Sequence, residues 1–428
     1  MTQEVTTKED LAGLLETILE QTTFKRLSRI YNHKEIMAIA ELDNQYGNFN
    51  PRLIEIMIPN SELERILPIF RKLLGRFIDY ETDIFGNGLI VITGGNITPT
   101  LSDYIKILIN ASLVLGSSRV AEFIFSWIKG DTVRFQEIYL LEGITVEEPL
   151  TLQEGFKIYQ LPKSSNELAR VLPPESLEFY GILTMTCGVG LSIECEAGPA
   201  LCKPLNRKEG FNELYLTRAS GLIENLSIDN LCDAMSLACN GCVQYRVKFN
   251  EMGDIKYFTR VYSGMAWKDL PVYFGTINFT QENFENAREI LNFLIAKVSS
   301  IPSLDIAIKR WVKSKDSHSS FTDQLIDLRI ALEVLYLNDT NSELKFRMAC
   351  RGAWHIANKI KERKEIFEIL IKTYNLASNA VHEGKVDDTQ YNKNLFAKAQ
   401  NICRNGILKR LREETEPEWN DLIMGIES

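Results

Sequence analysis

From about residue 281 onward, apolar residues recur at every third or fourth position, which is the spacing of an amphipathic helix. The pattern predicts six helices: Glu282–Val298, Leu304–Lys313, Leu325–Leu335, Ser342–Ile360, Arg363–Ala377 and Tyr391–Arg412. Ser342 is placed at the N-cap of the fourth helix, because serine commonly caps a helix start. The connections are short, as is typical of helical bundles. Residues 281–428 are therefore predicted to form an all-α domain.

Residues 1–280 mix helical periods with runs of β-branched and aromatic residues between turn formers. Helices are predicted over Leu11–Leu19, Glu62–Phe77 and Leu101–Trp127, the last with a break near Gly116. Strands are predicted over Leu53–Ile58, Gly88–Thr93, Val133–Leu141, Gly155–Gln160, Gly181–Glu196 and Val243–Phe249. These patterns predict an α+β region over 1–280, of one or more subdomains, with its boundary in Pro271–Gln281. They do not predict the order of the strands.

The composition is that of an ordinary globular protein, with 428 residues of which 45% are hydrophobic and 25% are charged. No apolar run reaches the length of about 18 residues that a transmembrane helix needs. The first residues, Met1–Gln21, are acidic and amphipathic and lack the basic region of a signal peptide. We therefore expect a cytoplasmic protein that does not interact with membranes.

The net charge of −9 is unevenly distributed along the chain. Residues 1–280 hold 26 basic and 35 acidic residues, whereas residues 281–428 hold 22 of each. Within the second part, residues 343–412 hold 15 basic and 7 acidic residues. This distribution excludes a general nucleic-acid coat but permits a local phosphate-binding surface in 343–412. The alternative is an ordinary solvated helix face.

Six of the eight cysteines fall between Cys187 and Cys242. Cys239 and Cys242 form a CxxC motif, and zinc could join this pair to Cys195 and Cys202. The second pair is spaced more widely than a typical zinc knuckle, and the window contains no histidine. The alternative is that these cysteines are free thiols that pack as small hydrophobic residues.

His382 stands where a helical pattern runs into small polar residues and then reaches Gly384. A histidine at such an exposed helix end titrates near neutral pH and is suited to general acid–base catalysis. The alternative is that its imidazolium only stabilises the negative end of the helix dipole. His355, which follows Trp354 in an apolar helix, is predicted to be packed in the interior.

Four blocks in the C-terminal third occur in order: Ile326–Leu335, Glu343–Trp354, Glu362–Phe367 and Tyr374–Gly384. Through these blocks, segment 323–384 resembles a HEPN domain of the ApeA-like type, a family found in bacterial anti-phage defence. The resemblance implies a metal-independent ribonuclease without a cofactor, whose signature is an arginine followed after four to six residues by a histidine. It implies an RNA substrate whose ribose 2′-hydroxyl attacks the neighbouring phosphate. Such domains usually work as dimers with the two motifs facing one cleft.

The chain departs from this signature at the arginine, because Ala377 stands five residues before His382. An arginine in phosphoryl transfer contributes about 10³–10⁵ in rate, so this chain is expected to be nearly inactive. Either the arginine was replaced deliberately, or the protein lost it naturally and became a binding or regulatory dimer. Five residues rotate about 140° on a helix, so positions 377 and 382 converge only if the helix ends between them or a partner chain contributes.

Neighbouring residues are assigned roles from their position, charge and expected burial. Ser378 and Asn379 are candidates to hydrogen-bond a phosphate or to orient His382. The candidate contacts for RNA phosphates are basic residues: Arg347, Arg351 and Lys385. Glu333 lies in an apolar helix and is expected to hold Arg347 or Arg351 in place.

The function implied is that of an abortive-infection effector. Its expected partners are RNA, a second copy of the chain and a phage-encoded trigger. The acidic region 1–280 is expected to sense infection or to restrain the nuclease.

Overall fold

A computed structural model describes residues 5–26, 29–45, 55–74, 78–79, 84–85, 100–129, 133–153, 156–161, 189–197, 217–218, 227–251, 266–267, 277–297, 301–317, 319–337, 342–413 and 415–424. The predicted strand Gly88–Thr93 and the cysteine Cys202 lie outside these residues.

The described residues contain thirteen helices: α1 (Lys8–Gln21), α2 (His33–Gln45), α3 (Asn60–Leu74), α4 (Leu101–Leu115), α5 (Ser117–Lys129), α6 (Ile228–Cys239), α7 (Gln281–Lys297), α8 (Pro302–Ser314), α9 (Phe321–Tyr336), α10 (Leu344–Ile356), α11 (Ile360–Glu383), α12 (Gln390–Arg412) and α13 (Trp419–Met424). They contain fourteen strands: β1 (Thr23–Arg26), β2 (Arg29–Tyr31), β3 (Glu55–Met57), β4 (Ile78–Asp79), β5 (Ile84–Phe85), β6 (Val133–Glu142), β7 (Ile144–Thr145), β8 (Leu150–Gln153), β9 (Phe156–Gln160), β10 (Val189–Ala197), β11 (Thr217–Arg218), β12 (Gln244–Glu251), β13 (Ala266–Trp267) and β14 (Ile277–Asn278). An α+β part is thus followed by a helical C-terminal part, which confirms the coarse prediction.

The first part of the chain has a hydrophobic core of its own, formed by buried residues between Leu11 and Ile124. Helices α1, α4 and α5 pack together there beside a small antiparallel sheet in the order β2-β1-β3. Gly116 separates α4 from α5 with a φ of +82°, a conformation that favours glycine, and so confirms the predicted break. Thr7 and Asp10 form a capping box that fixes the start of α1.

The larger sheet has the strand order β13-β12-β6-β10-β9-β8, and β11 also pairs with β10. All of these pairings are antiparallel. The central pair, β6 and β10, is in register over nine residues, from Val133 opposite Ala197 to Leu141 opposite Val189. Strand β14 pairs in parallel with β7 and brings the chain to the start of α7.

A β-bulge in β12 positions a buried ion pair. Tyr245 pairs with Leu141 and Val247 pairs with Leu140, so Arg246 is the extra residue between them. The bulge directs the Arg246 side chain onto Glu142 at the end of β6, where its Nη2 lies 3.2 Å from Oε2. Both side chains are buried, and the two-pronged contact compensates the cost of removing both charges from water.

The helical part begins at α7, as predicted, but three of its helices differ clearly from the sequence-based bounds. Helix α9 begins at Phe321, four residues before the predicted Leu325. Helix α10 begins at Leu344 after Glu343, whose φ is +51°, so the predicted N-cap Ser342 is wrong. It ends at Ile356 because cations satisfy its last carbonyl groups: Lys409 Nζ donates to the His355 oxygen at 2.5 Å. Arg363 Nε donates to the Ala357 oxygen at 2.8 Å.

Helix α11 is longer than predicted and runs without interruption from Ile360 to Glu383. The predicted end at Ala377 is wrong, because nothing between Ala377 and His382 breaks a helix. The helix ends at Glu383, and Gly384 follows it in the left-handed conformation with a φ of +70°.

One continuous core joins the larger sheet to the helical part. Its buried side chains run from Tyr139 on β6 through α6 and α7 to Trp419 on α13. The change from mixed to helical structure does occur near residue 281, but the buried side chains do not separate at that point. They separate instead between Ile124 and Tyr139, where the first core ends and the second begins.

A chain of buried polar groups crosses the helical part. The tautomer that satisfies both contacts of His355 has its proton on Nε2, which donates to Glu413 Oε1 at 3.0 Å. Its Nδ1 then accepts from the Tyr336 hydroxyl at 3.3 Å. Arg410 Nη1 donates to the other Glu413 oxygen at 3.1 Å. The Trp419 ring packs edge-on against Tyr336 and His355, so the segment after α12 is held to the bundle.

Gly406 on α12 is expected to be essential for close packing against α9, because it faces the Tyr336 hydroxyl. A Cβ at position 406 would lie closer to that oxygen than non-bonded atoms approach, and 3.0 Å from Leu335 Cδ2. Gly406→Ala should therefore lower the free energy of unfolding by about 1–3 kcal/mol, although alanine is the better helix former. Urea denaturation tests this, with the exposed neighbour Asn405→Ala as the control. A more stable Gly406→Ala variant would contradict this packing.

The Glu413 contacts predict a loss of stability in acid. Burial by itself would raise the pKa of Glu413, but the hydrogen bonds from His355 and Arg410 outweigh it and hold the pKa below 4.5. A carboxyl with a lowered pKa stabilises the fold above its unfolded-state pKa and ceases to do so as the pH falls through the native value. Below pH 4.5 the urea midpoint should therefore fall more steeply in the unmodified chain than in Glu413→Gln. An identical pH dependence would show that the carboxylate is not held in this way.

Candidate functional site

Helix α11 carries both positions of the predicted motif, and it presents them to different environments. Its buried stripe consists of Leu370, Thr373, Ala377 and Ala380. Ala377 is fully buried within the second core, whereas His382 is exposed. Because the helix is continuous between them, the two positions stand about 140° apart around its axis. One of the two predicted conditions for convergence, a helix end between them, is therefore not met.

His382 lies in the last turn of α11, two residues before Gly384. It forms no hydrogen bond or ion pair with any other residue that the structure describes. Asn379 and Lys385 are also exposed, and Ser378 is half-buried. Within the same described residues, neither Ser378 nor Asn379 hydrogen-bonds to His382. The imidazole is thus accessible from solvent, and no neighbour among the described residues orients it.

Glu333 holds an arginine, but not either of those predicted. Arg329, one turn earlier on α9, donates from Nε to Glu333 Oε1 at 2.8 Å. Its Nη2 donates to the Tyr374 hydroxyl at 2.9 Å, and its guanidinium carbon lies 4.4 Å from the centre of the Tyr374 ring. The prediction that Glu333 holds Arg347 or Arg351 is wrong. The spacing of four residues between Arg329 and Glu333 was the signal for this pair.

These charges also act on Tyr374, which stands two helical turns before His382. Burial raises the pKa of the Tyr374 phenol, the nearby Arg329 lowers it, and Glu333 raises it again. The net effect is a raised pKa, so the phenol keeps its proton at neutral pH. Tyr374 thus carries a neutral hydroxyl beside the Arg329–Glu333 ion pair, and it stands about 80° around α11 from His382.

The three basic residues predicted to contact RNA differ in their accessibility. Arg351 is 1% exposed, so it cannot reach RNA and that prediction is wrong. Its Nη1 donates to the Tyr336 carbonyl at 2.7 Å and its guanidinium packs 5.5 Å from the Trp419 ring. It lies on the same face of α10 as His355, four residues on, which explains its burial. Arg347 is half-exposed and pairs with Glu343 at 3.8 Å, and Lys385 is exposed.

The CxxC motif ends α6. Cys239 and Cys242 are free, and burial raises the pKa of their thiols to about 11 and about 12. Among the described residues, no group of three or more histidine, cysteine or acidic side chains is placed to hold a metal ion. The Cys195 side chain and Cys202 lie outside the described residues, so the zinc site stays a prediction.

No family model, curated protein or solved structure matches this chain. The HEPN resemblance therefore depends on the four sequence blocks alone. In the parts of the chain that the structure describes, no helix combines the length and the apolar character needed to cross a bilayer.

His382 and His355 are expected to differ in how much each contributes to stability. His382→Ala should change the free energy of unfolding by less than about 0.5 kcal/mol, because an exposed side chain of this kind contributes little to the fold. His355→Ala is the matched control and should cost at least about 2 kcal/mol, since it leaves Tyr336 and Glu413 without a buried partner. Urea denaturation measures both. A large loss from His382→Ala would assign His382 a structural role.

Proposed function

We propose that this protein is an anti-phage effector of the HEPN type, which binds RNA through its helical C-terminal part. The observation that supports this is the exposed imidazole of His382 at the end of α11, in a stretch, 343–412, with 15 basic and 7 acidic residues. As it stands, this chain binds RNA without cutting it efficiently, because Ala377 is in the place of the arginine.

The chemistry proposed for an active form follows from the two motif positions. The ribose 2′-hydroxyl attacks the adjacent phosphorus, the bond to the 5′-oxygen breaks, and the products carry a 2′,3′-cyclic phosphate and a 5′-hydroxyl. His382 would exchange the proton, for which an exposed imidazole is suited. The charge that builds on the phosphoryl oxygens needs a cation. Ala377 supplies none, and it is also enclosed by the core.

A second copy of the chain is proposed to complete the site. Val381, next to His382, is 53% exposed although it is apolar, and thus offers contact area at the end of α11. A dimer through this end would bring two His382 side chains to one cleft. Within one chain, positions 377 and 382 cannot converge in this way, because α11 is continuous between them.

The acidic part of the chain is proposed to sense a phage-encoded trigger or to restrain the RNA-binding part. Residues 1–280 hold 35 acidic and 26 basic residues, so they carry the entire net charge of −9. A negatively charged region repels RNA and reduces its local concentration.

A second candidate is a HEPN dimer that is naturally non-catalytic and acts as a binding or regulatory module. The burial of Ala377 favours it, because Ala377 and Ala380 belong to one stripe of small residues packed in the core. Deliberate replacement of an arginine is favoured by the rest of the motif block, Tyr374–Gly384, which is otherwise intact. Position 377 in the natural gene distinguishes the two.

Ala377→Arg tests the nuclease. The purified full-length variant is incubated with single-stranded RNA and a metal chelator, and cleavage should rise by about 10³–10⁵-fold over the unmodified chain. The products should end in 2′,3′-cyclic phosphate, and adding His382→Ala should abolish cleavage.

Ala377→Met is the matched control, because it adds similar bulk to the core without a charge. The same variants expressed during phage infection show whether cleavage needs a trigger. Intact RNA in both settings, from an Ala377→Arg protein that is folded and binds RNA, would refute the nuclease and leave the binding module.

A further inference from the structure

One side of α11 forms an unbroken, mostly half-buried ridge that leads to His382. Its members follow each other at intervals of three or four residues: Arg363, Phe367, Ile371, Tyr374, Ser378 and His382. All are half-buried except His382, which is exposed. Phe367, Ile371 and Tyr374 of this ridge also pack against the core. From Arg363 to His382 the ridge measures about 28 Å at 1.5 Å per residue.

Helix α10 adds aromatic rings beside this ridge. Phe346 is 56% exposed and meets Phe367 edge-to-face, with 5.7 Å between ring centres. Further along, the Arg363 guanidinium stacks 3.5 Å from the centre of the Trp354 ring. Arg329 covers Tyr374 in the same manner at 4.4 Å. Aromatic rings thus alternate with guanidinium groups along the ridge, and one of the rings is largely open to solvent.

Charges are segregated around α11. Lys364 stands on the ridge side, and Lys345 of α10 reaches the helix by donating to Asn375 Oδ1 at 3.1 Å. The acidic residues of α11 all point about 90° or more away from the middle of the ridge: Glu362, Glu365, Glu368 and Glu383. Two acids do lie beside the ridge, because Glu333 of α9 reaches Tyr374 and Glu368 stands one turn after Lys364. Cations outnumber them there: Arg329, Lys345, Arg363 and Lys364.

We propose that a single strand of RNA lies along this ridge from Arg363 toward His382, with an unpaired base stacked on Phe346. Lys345, Arg363 and Lys364 neutralise its phosphates. This inference depends on the proposed function and specifies its substrate as single-stranded. Stacking on an exposed ring requires a base that is free of its complement, so a duplex cannot use Phe346. At 3.4 Å per nucleotide of a stacked strand, about eight nucleotides span the ridge.

The charge pattern favours RNA over a second copy of the chain as the occupant. A protein surface that covers Phe346 needs no cations next to the ring, whereas Val381 at the end of α11 is left for the proposed contact with a second copy. A polyanion fits both the rings and the cations.

Binding of a fluorescent 12-nucleotide single strand to the full-length chain tests the ridge, in comparison with the duplex of the same sequence. The single strand should bind more tightly, and Phe346→Ala should weaken it by about 5- to 100-fold, the range for loss of one stacked base. Ile306→Ala, an exposed apolar residue on α8, is the control and should leave the affinity unchanged.

Two charge-reversal variants give an independent readout of the ridge. Lys364→Glu should reduce the slope of log affinity against log salt by about one or more, because it removes a phosphate contact. Lys361→Glu is matched in charge and sequence position but points away from the ridge, so it should change the slope less.

Equal affinity of Phe346→Ala and the unmodified chain for the single strand, or equal binding of strand and duplex, would overturn the ridge. If Phe346→Ala instead abolishes a dimer, measured by light scattering, while RNA affinity is unchanged, then the ridge is an interface between copies and the proposal is wrong. The cleavage assay with Ala377→Arg is independent of these outcomes. If the Ala377→Arg protein cleaves RNA and adding Phe346→Ala does not slow cleavage, the nuclease stands and the ridge is refuted. If Phe346→Ala weakens RNA binding but the Ala377→Arg protein does not cleave RNA, the ridge stands and the nuclease is refuted.

Discussion

The helical part depends on one buried hydroxyl, that of Tyr336 at the end of α9. It bonds to His355 of α10 and faces Gly406 of α12, and the His355 ring continues to Glu413 beyond α12. A polar group in such a place costs free energy unless its partner is correctly positioned, so the bond specifies how the three helices are aligned. Small changes in helix register would leave Tyr336 or Glu413 without a partner.

This alignment determines where the candidate site lies. Helix α10 is held by His355 on one side and by the Lys409 ammonium at its end, so the short connection to α11 is also placed. Helix α11 then packs its alanine stripe against the core, leaves Tyr374 and Ser378 half-buried and exposes His382. The same helix thus contributes to stability with one side and is accessible to a ligand on the other. An arginine side chain at position 377 would start on the buried side of α11 and would have to extend to the side that a ligand can reach.

The sequence was sufficient for the features that depend on local patterns. The α+β part, the helical part, the break at Gly116 and the burial of His355 were all predicted. It was not sufficient where distant residues decide the outcome. Helix α10 ends where Lys409, more than fifty residues later, satisfies its carbonyl, and β6 pairs with β10 across a similar separation. Arg351 was misassigned because its charge was considered without its position on the apolar face that also carries His355.

The core that joins the larger sheet to the helices has a thermodynamic consequence. Side chains from Tyr139 to Trp419 pack as one cluster, so the sheet and the bundle are expected to unfold as a single cooperative unit, distinct from the cluster before Ile124. A ligand held by α11 then stabilises every strand of that sheet by mass action, without any moving part. Conversely, any event that loosens the sheet raises the free energy of the surface proposed to bind RNA. Communication between a sensing region and this surface would in that case be a property of shared stability.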